Sequence, residues 1–94
     1  MNDEIKIEYL EEQNQSVAVN DEGVYIGYCE YEIKDNNWVI THTVVSPLYG
    51  GRGIAKQLVL RLVEEARKRN IKILPICSYA VKVLSNKEFA DILL

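Results

Sequence analysis

The sequence predicts a mixed α/β (α+β) domain over residues 1–94: an antiparallel meander followed by a β–α–β unit, with short helices at the C-terminal end. Three observations carry that prediction. The first half alternates β-branched and aromatic segments with Asn, Asp and Gly turns. From Ile54 to Ala66 apolar residues recur every four positions, and the short apolar run IKILPI follows soon after. With 94 residues, 48% of them hydrophobic, the chain can build one core and has no room for a second domain.

Residues 4–10 read as a short strand or a frayed lead-in. Ser16–Asn20 (SVAVN) is a strand ended by the turn Asp21-Glu22-Gly23, and Val24–Ile33 is its hairpin partner. Asp35-Asn36-Asn37 makes the next turn, and Trp38–Val45 (WVITHTVV) is the most strand-like segment of the chain. Trp38, Tyr25, Tyr28 and Tyr31 are read as sheet aromatics. In the helix, Ile54/Ala55, Leu58/Val59, Leu62/Val63 and Ala66 share one face, with Lys56, Arg61, Glu64, Glu65 and Arg67 elsewhere. Arg67-Lys68-Arg69 fills the last turn, where cations suit the helix dipole, and Asn70 takes the left-handed position beyond it. Ile71–Ile76 is then a strand parallel to Trp38–Val45, reached by a right-handed crossover. Ser78–Leu94 reads as one or two short helices.

Cys29 and Cys77 form neither a disulfide framework nor a zinc spacing, so no metal site is expected. No apolar run approaches the ~20 residues that span a bilayer, and the acidic N-terminus is unlike a signal peptide; the expectation is a cytoplasmic protein without a membrane partner. The net charge of −3 is unevenly spread: residues 1–35 carry ten acidic and two basic side chains, residues 52–70 six basic and two acidic. That argues against a nucleic-acid partner and fits an anionic ligand at one end of the molecule and a cationic one at the other. Such a chain is expected as a monomer or weak homodimer.

The connection Ser46-Pro47-Leu48-Tyr49-Gly50-Gly51-Arg52-Gly53-Ile54-Ala55 lies between strand and helix. Glycines there permit positive φ and close approach of a ligand, while the first N–H groups of the helix point outward with a partial positive charge suited to phosphate. Arg52 and Lys56 add full charges. Neither GxxxxGK[ST] nor GxGxxG is present.

This turn resembles the pyrophosphate loop of the Gcn5-related N-acetyltransferase (GNAT) superfamily, [Q/R]-x-x-G-x-[G/A], with Gly53 and Ala55 matching and Gly50 standing where Gln or Arg is usual. A branch of tiny single-domain GNAT-like proteins shares more: Thr41-His42-Thr43-Val44-Val45, Gly51-Arg52-Gly53-Ile54-Ala55, Pro75-Ile76-Cys77-Ser78-Tyr79 and Glu88-Phe89-Ala90-Asp91 follow its run in order and spacing over residues 38–92. Ala80 before Val81 and Asn86-Lys87 depart from it. The resemblance implies a GNAT-like fold whose parallel strands splay to admit the pantetheine arm of acetyl-CoA or coenzyme A. Gly50, Gly51, Arg52, Gly53, Ile54, Ala55 and Lys56 would then lie at the phosphates, with the backbone of Thr43, Val44 and Val45 at the thioester.

In an open α/β sheet ligands sit at the carboxyl ends of parallel strands, and that edge is expected to bring His42 and Cys77 together. Pro75, which has no N–H, should weaken pairing just before Cys77. The family resemblance makes these two the candidate catalytic residues. Either His42 takes the proton of an amine that attacks the thioester directly, or His42 activates Cys77 as a nucleophile. Tyr79 is the candidate acid for the departing thiolate; packing against the last helix is its other role. The implied activity is acetyl transfer to an amine, small-molecule or protein, at an open, shallow acceptor site. A CoA-binding module without turnover is the alternative.

Overall fold

The structure, a computed structural model, describes residues 4–94; residues 1–3 of the expected 1–94 domain lie outside them. Four strands run antiparallel in chain order, β1 (Lys6–Leu10), β2 (Gln15–Val19), β3 (Tyr25–Lys34) and β4 (Asn37–Val45). Helix α1 (Ile54–Lys68) then crosses over to β5 (Ile73–Pro75), which pairs with β4 in parallel, and α2 (Ser78–Val83) follows. The sheet order is β1-β2-β3-β4-β5, an antiparallel meander with one β–α–β unit at its end.

Helix α1 forms where the four-residue apolar recurrence places it, and that recurrence is what packs. Leu58, Val59 and Leu62 are fully buried against the sheet, with Ile54, Val63 and Ala66 beside them. Each large side chain so removed from water contributes roughly 1.5–3 kcal/mol. Ser16 on β2 is buried too, and its hydroxyl donates to the Leu58 carbonyl at 2.8 Å. Asn70 has φ 55°, the left-handed position expected beyond the helix, and Ile71 N–H returns to the Ala66 carbonyl. Glu65 differs from its sequence reading: it is buried, held by Arg61 and Arg69 rather than placed in solvent.

The second half departs from expectation in two further ways. β5 is three residues long instead of spanning Ile71–Ile76, because its start closes the end of α1 and Pro75 stops the ladder. The N–H groups of Ile76 and Cys77 both turn to the Ile40 carbonyl, at 3.0 and 3.2 Å, and the chain enters α2. Ser78–Leu94 is helical only over α2 and a 3-10 turn at Lys87–Phe89; Leu93 then forms an isolated parallel bridge with Ile73 of β5.

One irregularity in β4 decides which way the site residues face. Glu30 pairs with His42, but Tyr31 pairs with Ile40, so Thr41 is an extra residue, a β-bulge. Simple alternation puts His42 on the same face as Trp38 and Ile40. The bulge reverses this: Thr43 turns to the helix-covered face beside Cys29, and His42 turns to the other. Among the described residues α1 and α2 pack on one face only. The opposite face presents Glu8, Tyr28, Glu30, His42, Val44 and Leu74.

Candidate active site

β4 and β5 pair only through Trp38–Ile73, Val39–Leu74 and Ile40–Pro75. From Thr41 to Val45, β4 has no strand beside it on that edge among the described residues, and the gap is flanked by Cys77, the start of α2 and the Gly-rich turn. The turn itself begins as a 3-10 turn at Pro47–Tyr49, with Pro47 in its first position.

Two glycines in the turn are demanded by the backbone. Gly51 has φ 76° and Gly53 φ 75°, values at which a β-carbon is strained. A β-carbon at either would meet no atom within 4 Å, so the space over them is open to a ligand rather than filled by protein. Gly53 is the N-cap of α1, and among the described residues no side chain caps the helix there. The first intrahelical bond runs from Gln57 N–H to the Gly53 carbonyl at 3.2 Å, which leaves the N–H groups of Ile54, Ala55 and Lys56 at the open end of the helix. A cavity of about 280 Å³ opens onto this end, lined by Val45, Tyr49, Gly50, Gly51, Gly53, Ile54, Ala55 and Tyr79. Arg52 lies 5.5 Å from the Tyr49 ring centre. The residues present therefore fit a pyrophosphate: an uncapped helix start, two glycines at positive φ and nearby cationic side chains. A larger groove, about 520 Å³ between α1 and the Lys87–Phe89 turn, shares only Lys56 with this machinery.

Cys77 is half-buried and caps α2, its sulfur accepting from Ala80 N–H at 3.4 Å. The Cys77 thiol in turn donates to the Thr43 hydroxyl oxygen at 3.5 Å. Burial raises the thiol pKa and is the largest single effect. The Thr43 hydroxyl and the N–H groups of Ala80, Tyr79 and Thr43 outweigh it, and the net shift is downward from the ordinary thiol value. Cys29 is the opposite case: fully buried, it is pushed up to about 12 by desolvation. Of the amides expected at the thioester, that of Thr43 is among the groups that favour ionised Cys77.

His42 does not meet Cys77. Its Nδ1 is 3.0 Å from a Glu30 carboxylate oxygen across the sheet, and it is exposed on the helix-free face. The Thr41 bulge is the physical reason, and it corrects the expectation that His42 activates the thiol. Glu30, which the sequence does not single out, is the group that His42 meets. A carboxylate only accepts, so the neutral ring carries its proton on Nδ1 and leaves Nε2 as a base. Tyr79 is half-buried at the cavity wall and packs against the core. Val44 is exposed; Val45 lines the cavity. Among the described residues no cluster of His, Cys, Asp or Glu is arranged to hold a metal, and no helix is long and apolar enough to cross a membrane.

Comparison with known proteins agrees with this geometry. No curated protein sequence matches the chain. A GCN5-like protein of Staphylococcus aureus, solved by NMR, is 32% identical with a TM-score of 0.72, over 95% of this chain and 87% of its own. A GNAT-family N-acetyltransferase of Escherichia coli, crystallised with CoA, shares the fold at 16% identity and a TM-score of 0.68, over 96% of this chain and 68% of its own. N-acetylglutamate synthase of Neisseria gonorrhoeae, in complex with coenzyme A and N-acetyl-glutamate, does so at 20% identity and 0.64, over 82% and 19%. The model of the GCN5-related N-acetyl-transferase family matches residues 9–92, nearly the whole chain. The chain belongs to the GCN5-related N-acetyltransferases, a family of acyltransferases whose usual cosubstrate is acetyl-CoA.

Proposed function

We propose that the protein moves an acetyl group from acetyl-CoA to a cationic amine, with Cys77 carrying the acetyl group and His42 accepting the amine's proton. The observation that carries this is the pairing of an uncapped, glycine-opened helix start with a thiol that bonds the Thr43 hydroxyl and accepts from Ala80 N–H across the same gap. The cosubstrate supplies an activated thioester. Gly51, Gly53 and the amides of Ile54, Ala55 and Lys56 bind its pyrophosphate, and Arg52 and Lys56 add charge.

The two half-reactions use different residues. The Cys77 thiolate attacks the acetyl carbonyl carbon, the bond to the departing thiolate breaks, and Tyr79, at the cavity wall, gives that thiolate a proton and regains one from solvent. The acceptor amine, neutral when it attacks, then takes the acetyl group from Cys77 and releases a proton to His42 Nε2; the Cys77 thiolate is regenerated. His42 therefore need not touch Cys77, only the amine. Glu8, Glu30 and Glu32 lie on the same helix-free face as His42, which favours a positively charged molecule such as a polyamine or a lysine-bearing chain.

The test is mass spectrometry of the whole chain after incubation with acetyl-CoA alone, followed by thiol release with a panel of amines. One added acetyl group on Cys77, discharged by amines and absent in Cys77→Ala, is the expected result. Turnover retained in Cys77→Ala but lost in His42→Ala would select direct transfer instead. Binding of CoA without turnover on any amine would leave a CoA-binding module.

A further inference from the structure

Cys29 has no part in the reaction just described, yet it is fully buried with its sulfur 3.3 Å from the Thr43 hydroxyl, the same hydroxyl that lies 3.5 Å from the Cys77 sulfur. In the structure the Cys77 thiol donates to the Thr43 oxygen. We propose that Cys29 and Thr43 are positioning residues for Cys77, forming a relay that reverses when Cys77 ionises: the Cys29 thiol then donates to the Thr43 oxygen and the Thr43 hydroxyl to the Cys77 sulfur. This deepens the reading of Cys77 as the acetyl carrier and rests on it for its catalytic meaning.

Proton counting gives the relay its direction. A threonine hydroxyl has one proton and two lone pairs. A thiolate has no proton and can only accept. When Cys77 is ionised, the Thr43 proton must therefore point to it, and the Thr43 oxygen is left to accept from its other neighbour. That neighbour is Cys29, which burial keeps in the thiol form and which thus always has a proton to give. An apolar residue in its place would leave the hydroxyl without this second partner, and rotation away from Cys77 would cost less. The Thr41 bulge is what makes the chain possible, because it turns Thr43 toward Cys29 and Cys77 instead of toward Glu30.

Other groups on the packed elements do not replace this arrangement. Glu30 on β3 and His42 on β4 are bonded to each other on the opposite face. On α2 the Ala80 N–H donates to the sulfur, and the Tyr79 N–H favours its ionised form. Among the described residues no titratable group of α1 or β5 bonds to the Cys77 sulfur.

The experiment is the rate of Cys77 alkylation by iodoacetamide across a pH series, read by whole-chain mass and peptide mapping on folded protein. Thr43→Val should slow the reaction near neutral pH about tenfold, moving the whole pH profile upward, since it removes a hydrogen bond to a charged group. Cys29→Ala should move the profile the same way by less. Thr43→Ser and Cys29→Ser, which keep a donor, should restore it. If Thr43→Val does not fold, Cys29→Ala and its serine counterpart carry the test. Wild-type profiles in both Thr43→Val and Cys29→Ala would overturn the relay. Acetyl uptake from acetyl-CoA is measured separately: no uptake in a protein whose alkylation profile still depends on Thr43 removes the acetyl-carrier reading and leaves the relay standing.

Discussion

The two ends of β4 are built differently. From Trp38 to Ile40 the strand has β3 on one side and β5 on the other. There Trp38 stacks on Tyr31 with ring centres 4.0 Å apart, and the Tyr31 and Tyr9 hydroxyls bond at 2.7 Å. Arg69 lies over Tyr9 and Trp38 and reaches back to Glu65 at 2.7 Å. From Thr41 to Val45 the strand keeps β3 alone, carries a bulge, and faces a gap edged by the glycine turn and Cys77. One end is closed by packing, while the other leaves amides, a thiol and an imidazole with unused bonding capacity. A small domain has little stability to spare, and here the well-packed end lets the other stay open.

The largest effect should come from breaking the closed end. Trp38→Ala removes a nearly fully buried ring and its stack on Tyr31, and chemical denaturation should show a loss of about 4 kcal/mol. Glu65→Gln should cost about 2 kcal/mol at neutral pH, since its cationic partners are themselves partly exposed. The wild-type contribution depends on acid in a defined direction. Hydrogen bonds from Arg69, working against desolvation and joined by Arg61, hold the Glu65 carboxyl below its ordinary 4.5. Its stabilisation is complete above that unfolded-state value and is lost as pH falls through the lower folded-state one. Unfolding midpoints followed into acid should converge for wild type and Glu65→Gln.

At the open end the same logic predicts small stability changes and large functional ones. Gly53→Ala should cost about 1 kcal/mol through its positive φ, yet weaken CoA binding by calorimetry about tenfold, because the helix start shifts. Glu30→Gln should leave the melting temperature within a degree or so and slow amine acetylation several-fold, because an amide can bond Nδ1 either way and no longer fixes the ring's proton. If Glu30→Gln instead unfolded the protein, the distinction between the two ends would be wrong.

How far the sequence reveals this division follows from what each feature depends on. Helix α1, the meander and the glycine turn are local patterns: a four-residue recurrence, turns at Asp21–Gly23 and Asp35–Asn37, and three glycines close together. They appear where the sequence puts them. The facing of His42 is not local. It depends on Thr41 being accommodated against Glu30 and Tyr31, a register between two strands that no alternation rule exposes in WVITHTVV. Glu30 was invisible for the same reason, as were the burial of Glu65, which depends on where Arg61 and Arg69 fold back, and the role of Cys29, which depends on Thr43.

The most direct measurement is the change in backbone amide resonances as CoA is titrated into the whole chain. The account predicts shifts concentrated in Gly51–Lys56, Thr43–Val45 and Cys77–Tyr79, with Tyr9, Trp38 and Arg69 almost unmoved. Shifts centred on those three residues, or none at millimolar CoA, would contradict it.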